Sequence, residues 1–443
     1  MRAVINPPSA LGRNVASAAG SSVVTLIFAY QLTVRPWLLA PLVGLGTGVV
    51  LVLVPPSVFL GFILLTRNFA DLQAGSAVAG GLNAGALVGV LALGVAFFRL
   101  VPLPRIRGLG PALLVLLLLG FWFLVGFVEF GEARPLLREL IRSSSIVAVA
   151  LVALNTVRSP LDLSRAVDVV IVTAAAPAVV AVAQMALGRD RAYGTLAHPN
   201  AAATLFGVCL AISLWALASR PGKRRYALMA VLFGVALLST KSLGGMAQML
   251  VTLLAYPLVA RRAGSRAGIA AVVGIILVIV FSLSPIGADR VSEIGTTRSY
   301  GEIAQGESGT NSLDWRFGNW VELLEEWREK PLVGYGSGST VALVTPRQTI
   351  PHSDVVRLLV ETGVFGLLTF GALFVLLVMR LYRYAARSSY AAAVLAVLAG
   401  VAVHGTVNNI TLQTATMYAL AVLVGSALAR PDAAPDRLWR VRV

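Results

Sequence analysis

Cysteine is nearly absent. Cys209 stands alone in 443 residues, so the chain can form no internal disulfide and no thiolate metal cage. Lying in an apolar run, it reads as a small buried hydrophobe. Histidine is almost as scarce, at three, which argues against a histidine-rich metal cluster. Charge is thin as well, 13% against 57% hydrophobic residues, far from the composition of a soluble globular protein. The sequence has no P-loop, no dinucleotide fingerprint and no His-Glu-x-x-His zinc pair. The stretch Arg67-Asn-Phe-Ala-Asp71 offers a single carboxylate. Metal-dependent chemistry therefore has little to stand on, and neither metal nor cofactor is expected.

What the chain has in abundance is hydrocarbon. Apolar runs of roughly 18 to 22 residues recur from end to end, each long enough to cross a bilayer. The expected fold is all-α, a polytopic membrane protein of about 12–14 transmembrane helices. Spans read at about 15–33, 36–54, 56–66, 77–98, 111–130, 143–157, 166–187, 197–218, 226–240, 245–260, 267–286, 353–379, 389–407 and 410–429. The lower count applies if the pair hinged at Pro55-Pro56 is re-entrant. No small-residue cleavage site follows the first apolar run, so no removable signal peptide is expected.

The net charge of +16 would suit nucleic acid, but its distribution does not. Under strict alternation, Arg105/Arg107, Arg158/Arg165, Arg220–Arg225, Arg261–Arg266, Arg380–Arg387 and the tail fall on one side, which marks it as cytoplasmic. The other side receives Arg67, the Arg134/Arg138/Arg142 loop, Arg189/Arg191, Lys241 and the long loop from 287 onward, which is translocated largely regardless of charge. The expected organisation is N-terminal transmembrane helices (1–286), an extracytoplasmic catalytic loop (287–352), C-terminal transmembrane helices (353–429) and a basic cytoplasmic tail (430–443). Within the loop, Trp320, Leu323, Leu324 and Trp327 recur at helical spacing opposite Glu322, Glu325, Glu326 and Glu329. The pattern predicts an amphipathic helix from Asp314, stopped by Pro331, lying at the membrane interface with Arg316 on its apolar, membrane-facing side.

Candidate chemistry gathers on the outer side. His352 directly precedes a helix start, with Ser353 as N-cap and Asp354 in the first turn. The helix dipole there favours a neutral imidazole able to accept a proton, while Asp354 acts in the opposite sense. Arg191 and Arg316 each stand beside an aromatic near a membrane boundary, and the planar guanidinium fork suits phosphate. Gly194-Thr-Leu-Ala-His198-Pro-Asn200 can present ligand donors or simply start a helix, and Ser239-Thr-Lys-Ser-Leu-Gly-Gly245 is a similar polar kink. His404, with Asn408 and Asn409, reads as interhelical hydrogen bonding.

The order of these signals is informative. Arg191-Ala-Tyr-Gly-Thr-Leu-Ala-His-Pro-Asn200 comes first, then Thr240-Lys-Ser-Leu-Gly-Gly245, Arg316 before Trp320, Pro331-Leu-Val-Gly-Tyr-Gly336, and His352 with Glu361-Thr-Gly-Val-Phe-Gly-Leu367. Over roughly residues 185–370 this resembles the O-antigen ligase family of bacterial envelope glycosyltransferases, which includes related polymerases. The resemblance implies a multi-pass protein of the bacterial cytoplasmic membrane with its active site on the outer or periplasmic side. It implies metal-independent, inverting transfer from an undecaprenyl pyrophosphate-linked glycan donor to a glycan, glycolipid or protein acceptor, among membrane lipids and without nucleic acid. Carried over by position, His352 is the general base and Arg191 and Arg316 hold the diphosphate. Substrate contacts are also expected from His198, Asn200, Lys241, Trp320, Arg347 and Glu361. The chain departs from the pattern at Ser353, where asparagine is frequent, and at Lys241, where a Ser-Arg pair is common. The competing readings are a polymerase of the same family, a flippase or transporter for lipid-linked glycans, and a non-catalytic envelope protein that docks partners through its outer loop. A transporter would place cations along a central cavity, whereas these charges gather in loops.

Overall fold

The computed structural model describes residues 39–73, 83–131, 133–220, 223–260, 312–341, 343 and 350–429. Thirteen α-helices and no strand occur among them. The chain divides into two compact units, residues 1–53 and 54–443. The first contributes one described helix, α1 (Leu39–Leu53). The second contains α2 (Pro56–Ala70), α3 (Ala84–Leu100), α4 (Leu109–Phe130), α5 (Ala133–Thr156), α6 (Pro160–Ala186), α7 (Pro199–Ser219), α8 (Lys223–Ser239) and α9 (Leu243–Val259). It continues with α10 (Ser312–Trp327), α11 (Asp354–Ala385), α12 (Ser389–Gly405) and α13 (Thr414–Ala429).

Helices α4, α6, α7 and α11 are long and apolar enough to cross a membrane, and six further apolar helical segments run 10–17 residues. The protein is an all-α polytopic membrane protein. Several observed boundaries follow the hydrophobic runs within a few residues, but α6 starts at Pro160 rather than the expected 166 and α11 runs to Ala385 rather than the expected 379. Helix α5 begins at Ala133, well before the expected 143, because Glu139 and Arg142 find ionic partners inside the bundle. The expected spans at 15–33 and 267–286, the loop 287–311, the tail 430–443 and Arg347 lie outside the described residues.

Small residues decide the packing. Helix α7 is buried along nearly its whole length, and α12 and α13 are close behind. Their alanines and glycines let backbones approach closely, the usual substitute for a hydrophobic driving force between membrane helices. A Cβ added at Gly400 would lie 2.3 Å from the Gln248 carbonyl of α9, and one at Gly425 would lie 2.5 Å from the Ala150 carbonyl of α5. His404 ties the same layer together, within hydrogen-bond distance of Thr204 (3.2 Å), Gln248 (2.9 Å) and Asn408 (3.4 Å), as its interhelical reading requires.

Helix α11 is broken at Gly363, whose φ of 65° and ψ of −172° leave helical space. The loop 331–338 fills the gap. Tyr335 N and Gly336 N donate to the Val360 and Glu361 carbonyls (3.1 and 2.8 Å), while Val364 N and Phe365 N donate to Pro331 and Leu332 (2.9 and 3.1 Å). On the other side Trp122 of α4 donates to the Val333 carbonyl at 3.0 Å and accepts from Ser337 N at 3.0 Å. Gly336 sits with φ 95° where a Cβ would meet Gly126 N at 2.1 Å. Gly336→Ala therefore forces the loop off α4 and adds positive-φ strain of about 1–2 kcal/mol. A clear drop in the melting temperature of the detergent-purified protein is expected, and an unchanged value would mean the loop is not held there.

The aromatic stripe of α10 requires a correction. Trp320, Leu323 and Trp327 do not face lipid; they pack against Tyr335, Val356 and Val360. The same apolar periodicity serves a protein neighbour as well as a bilayer, and here the first turns of α11 supply it. Arg316 is accordingly not membrane-facing: its guanidinium donates from Nη1 to the Val407 carbonyl at 3.0 Å.

Candidate functional site at one end of the bundle

Four segments meet beside the N-terminus of α11. The first is the link from α6 to α7. Gly188 (φ 82°) reverses the chain, and the Gln184 side chain holds the Tyr193 and Gly194 amides at 2.9 Å each. Gly194 (φ 62°) then passes so near α6 that a Cβ would lie 2.3 Å from the Pro177 carbonyl. Thr195 donates to the Asn68 carbonyl at 2.6 Å, pinning the link to α2. This fixes both Arg191 and His198. His198 is the N-cap of α7, its Nδ1 accepting from Asn200 N at 3.1 Å, so the ring is neutral with its proton on Nε2.

Arg191 ties this link to the turn before α9. Its Nε donates to the Thr240 carbonyl (3.1 Å) and its Nη2 to Asn200 Oδ1 (3.1 Å), which also accepts from Ser242 Oγ (3.0 Å). Lys241, in the same turn, directs its ammonium to Asp190 at 2.7 Å, on a carboxylate side chain that is 77% exposed. Arg191 and Asn200 are thus brought together, while Lys241 engages a surface partner.

His352 is clamped on both sides. Before it, Trp320 Nε1 donates to the Pro351 carbonyl and Asn319 Nδ2 to that of Ile350 (3.2 Å). After it, Ser353 N donates to Asn409 Oδ1 (2.9 Å), and Ser353 Oγ caps α11 by accepting from Val356 N (3.3 Å). Between these clamps His352 takes φ 49°, and with Lys241 it is one of two non-glycine residues at positive φ among the described residues. Such backbone persists only where the surroundings over-determine it, and it concentrates at functional positions. The ring lies edge-on to Trp315, centroids 5.5 Å apart, and 6.1 Å from the His198 ring. Nδ1 meets no hydrogen-bond partner among the described residues.

Both imidazoles are held uncharged. Burial, then Arg316, then His198 push His352 down to about 4, with an Asn408 hydrogen bond acting in the opposite sense. Burial, then Arg191 and Arg316 push His198 down to about 4. Asp354, which the sequence sets against this trend, has turned away: its carboxylate accepts from Ile410 N (2.9 Å) and Thr411 N (3.2 Å). The site is thus cationic through its arginines and holds two neutral imidazoles, of which His198 spends its acceptor nitrogen on the Asn200 amide.

Glu361 stands apart from this cluster, more than two turns further along α11. It is buried, accepts from Thr340 Oγ1 at 2.7 Å and pairs with Arg357 at 3.9 Å. Arg357 also reaches Glu139 at 3.5 Å, and Glu139 is ion-paired to Arg142. These charges lie inside the helix packing, which the loop-based reading of charge does not anticipate; the clue is the i, i+3 and i, i+4 spacing of opposite charges in otherwise apolar stretches. Trp315 and the 407–411 turn were also not singled out as site residues. The paired asparagines of that turn are the available signal.

Residues 228–371 match the family model described as O-antigen ligase, a family of glycosyltransferases. The match takes in Lys241, Arg316, Trp320, His352 and Glu361, while Arg191, His198 and Asn200 lie before it. No curated protein matches the chain.

Proposed function

From the premise that residues 228–371 carry an O-antigen ligase domain, we propose that the protein transfers a glycan from an undecaprenyl pyrophosphate-linked donor to an acceptor hydroxyl at the outer side of a bacterial cytoplasmic membrane. The observation that carries this reading is a neutral His352 held beside His198 within the field of Arg191 and Arg316. The acceptor oxygen attacks the anomeric carbon from the face opposite the phosphate, and the carbon–oxygen bond to phosphate breaks. The electron pair leaves on the lipid pyrophosphate, and His352 takes the hydroxyl proton. Negative charge develops on the leaving group, where guanidinium groups positioned beforehand stabilise it. Asn200 fixes Arg191, and Trp320 holds the Pro351–His352 backbone. Glu361, through Thr340, secures the loop against α11.

The orientation rests on the distribution of cations. Following α7, α11 and α13 from the His352 end leads to Arg220–Arg225, to Arg380–Arg387 and to Arg107 respectively. Among the described residues the carboxylates at that far end are Asp162 and Asp168. A cation-rich end of this kind belongs in the cytoplasm.

The direct test is purified protein with a lipid-linked glycan and acceptor: release of undecaprenyl pyrophosphate together with glycan transfer is expected, and binding or translocation without transfer would mark a transporter. Activity should survive excess EDTA, since arginines carry the leaving-group charge; loss on chelation, restored by Mg²⁺ or Mn²⁺, would refute that. Deletion in the host separates ligase from polymerase: full-length polymer left on lipid marks a ligase, and loss of chain lengthening marks a polymerase.

The depressed histidines also set a pH profile. A base must be unprotonated, so kcat/KM should stay flat down through pH 6.5 and fall only as pH drops through about 4. A bound pyrophosphate stabilises the imidazolium, so the acid limb of kcat should lie at higher pH than that of kcat/KM. A kcat/KM limb at 6.5, the ordinary histidine value, would remove His352 from the role.

A further inference from the structure

A second basic site lies at the opposite end of the bundle. The loop before α4 and the C-termini of α5 and α13 enclose a partly open cavity of about 430 Å³, lined by Arg105, Arg107, Asn155, Val157, Arg158 and Ala429. Among the described residues, three guanidinium groups and no carboxylate line it. Part of this charge has a structural duty. Arg107 donates to the Ala429 and Leu154 carbonyls (2.7 and 2.6 Å), completing two helix C-termini, and Arg158 Nε donates to Asn155 O at 3.2 Å. Buried Asn155 clips the loop in place, accepting from Arg107 N (2.8 Å) and donating to Arg107 O (3.1 Å).

Capping does not account for the rest. Arg105 makes no hydrogen bond or ion pair among the described residues, and the terminal nitrogens of Arg158 are likewise unused. The neighbouring carboxylate, Asp162, is occupied by the capping box of α6, accepting from Ser159 N (2.8 Å), Ser159 Oγ (2.7 Å) and Arg158 N (3.1 Å). Guanidinium forks lining a cavity with no counter-charge among the described residues match the oxygens of a phosphate group.

Depth identifies the source of that phosphate. Helix α13 starts beside the turn that anchors Asp354 and ends at the cavity, so its 16 residues set the two sites about 24 Å apart along the bundle. That is close to the thickness of a bilayer's hydrocarbon core, which brings the cavity level with a headgroup layer. We propose that this cavity binds the phosphate of an anionic phospholipid in the leaflet opposite the His352 site.

The test uses the full chain in nanodiscs of zwitterionic lipid, with and without phosphatidylglycerol, reading melting temperature and lipid retention by native mass spectrometry. Phosphatidylglycerol should raise the wild-type melting temperature. Arg105→Gln combined with Arg158→Gln should weaken retention at least about tenfold and abolish most of the increment over its own zwitterionic value, which itself drops slightly with loss of the Arg158–Asn155 bond. Arg224→Gln combined with Arg383→Gln removes the same charge from the same end outside the cavity and should retain the lipid. Inorganic phosphate added to zwitterionic discs distinguishes the sources: a shift equal to that from phosphatidylglycerol would overturn the lipid assignment in favour of a soluble anion. Equal loss in both double variants would reduce the effect to general surface charge, and full retention in the Arg105/Arg158 variant would leave Arg158 as a helix cap only and Arg105 without a ligand. Either result overturns the proposal.

Discussion

His352→Asn is expected to slow glycan transfer at least about 10²-fold while leaving expression and melting temperature nearly unchanged. Asparagine is the informative replacement because of the backbone. His352 sits at φ 49°, a conformation asparagine adopts readily, whereas alanine would add strain and confuse a lost base with a distorted clamp. The neighbouring clamps, Trp320 on Pro351 and Asn409 on Ser353, use backbone atoms that the substitution leaves in place. His198→Asn is the matching control, since asparagine is a good N-cap and removes only the imidazole. Turnover near wild type in His352→Asn, together with a large loss in His198→Asn, would exchange the two roles.

The arginines provide the second large effect. Arg191→Lys and Arg316→Lys should each lose about 10–200-fold in kcat/KM, the equivalent of a charge-assisted hydrogen bond worth roughly 1.5–3 kcal/mol. Lysine keeps the charge but not the fork. Arg191 spans Thr240 and Asn200 with two different nitrogens, and an ammonium on a flexible stem cannot hold both while facing a ligand. Arg316 similarly uses Nη1 on the Val407 carbonyl. Because both would grip one pyrophosphate, the double variant should be little worse than the worse single one, a coupling that a double-mutant cycle measures directly. Full activity in both lysine variants would mean that these residues contribute charge alone, and strict additivity would mean that they do not share a ligand.

Much of this architecture was legible because membrane helices write their length and limits plainly. Ser353 was readable as a cap, which follows from local rules about helix N-termini, whereas the charge state of His352 was not, because the helix dipole and Asp354 act on it in opposite senses. The orientation of α10 was not, because periodicity defines an apolar face without saying whether lipid or protein covers it. Nor was the left-handed backbone of His352: glycine announces such conformations, and histidine does not. The role of Asp354 depended on amides at Ile410 and Thr411, more than fifty positions away, which no local pattern reveals. Glu361 read as a substrate contact, and only packing shows it joined with Arg357, Glu139 and Arg142 in an interior ion-pair chain.

The break at Gly363 has a consequence for the order in which the molecule is built. In hydrocarbon the exposed Val360 and Glu361 carbonyls and the Val364 and Phe365 amides would each cost several kcal/mol, so the broken form of α11 needs loop 331–336 already docked. That loop leaves the ribosome before α11, and its partners lie close to it in sequence, so this half of the site assembles early and locally. The other half arrives late. Asn408, Asn409 and Thr411, which anchor Ser353 and Asp354, and the Val407 carbonyl that receives Arg316 follow α12 in the chain. A nascent chain ending before Thr406 has the broken helix but no anchor for the backbone beside His352. The site is therefore completed only by segments that follow α12, and a chain halted before them lacks the contacts that fix the backbone around His352.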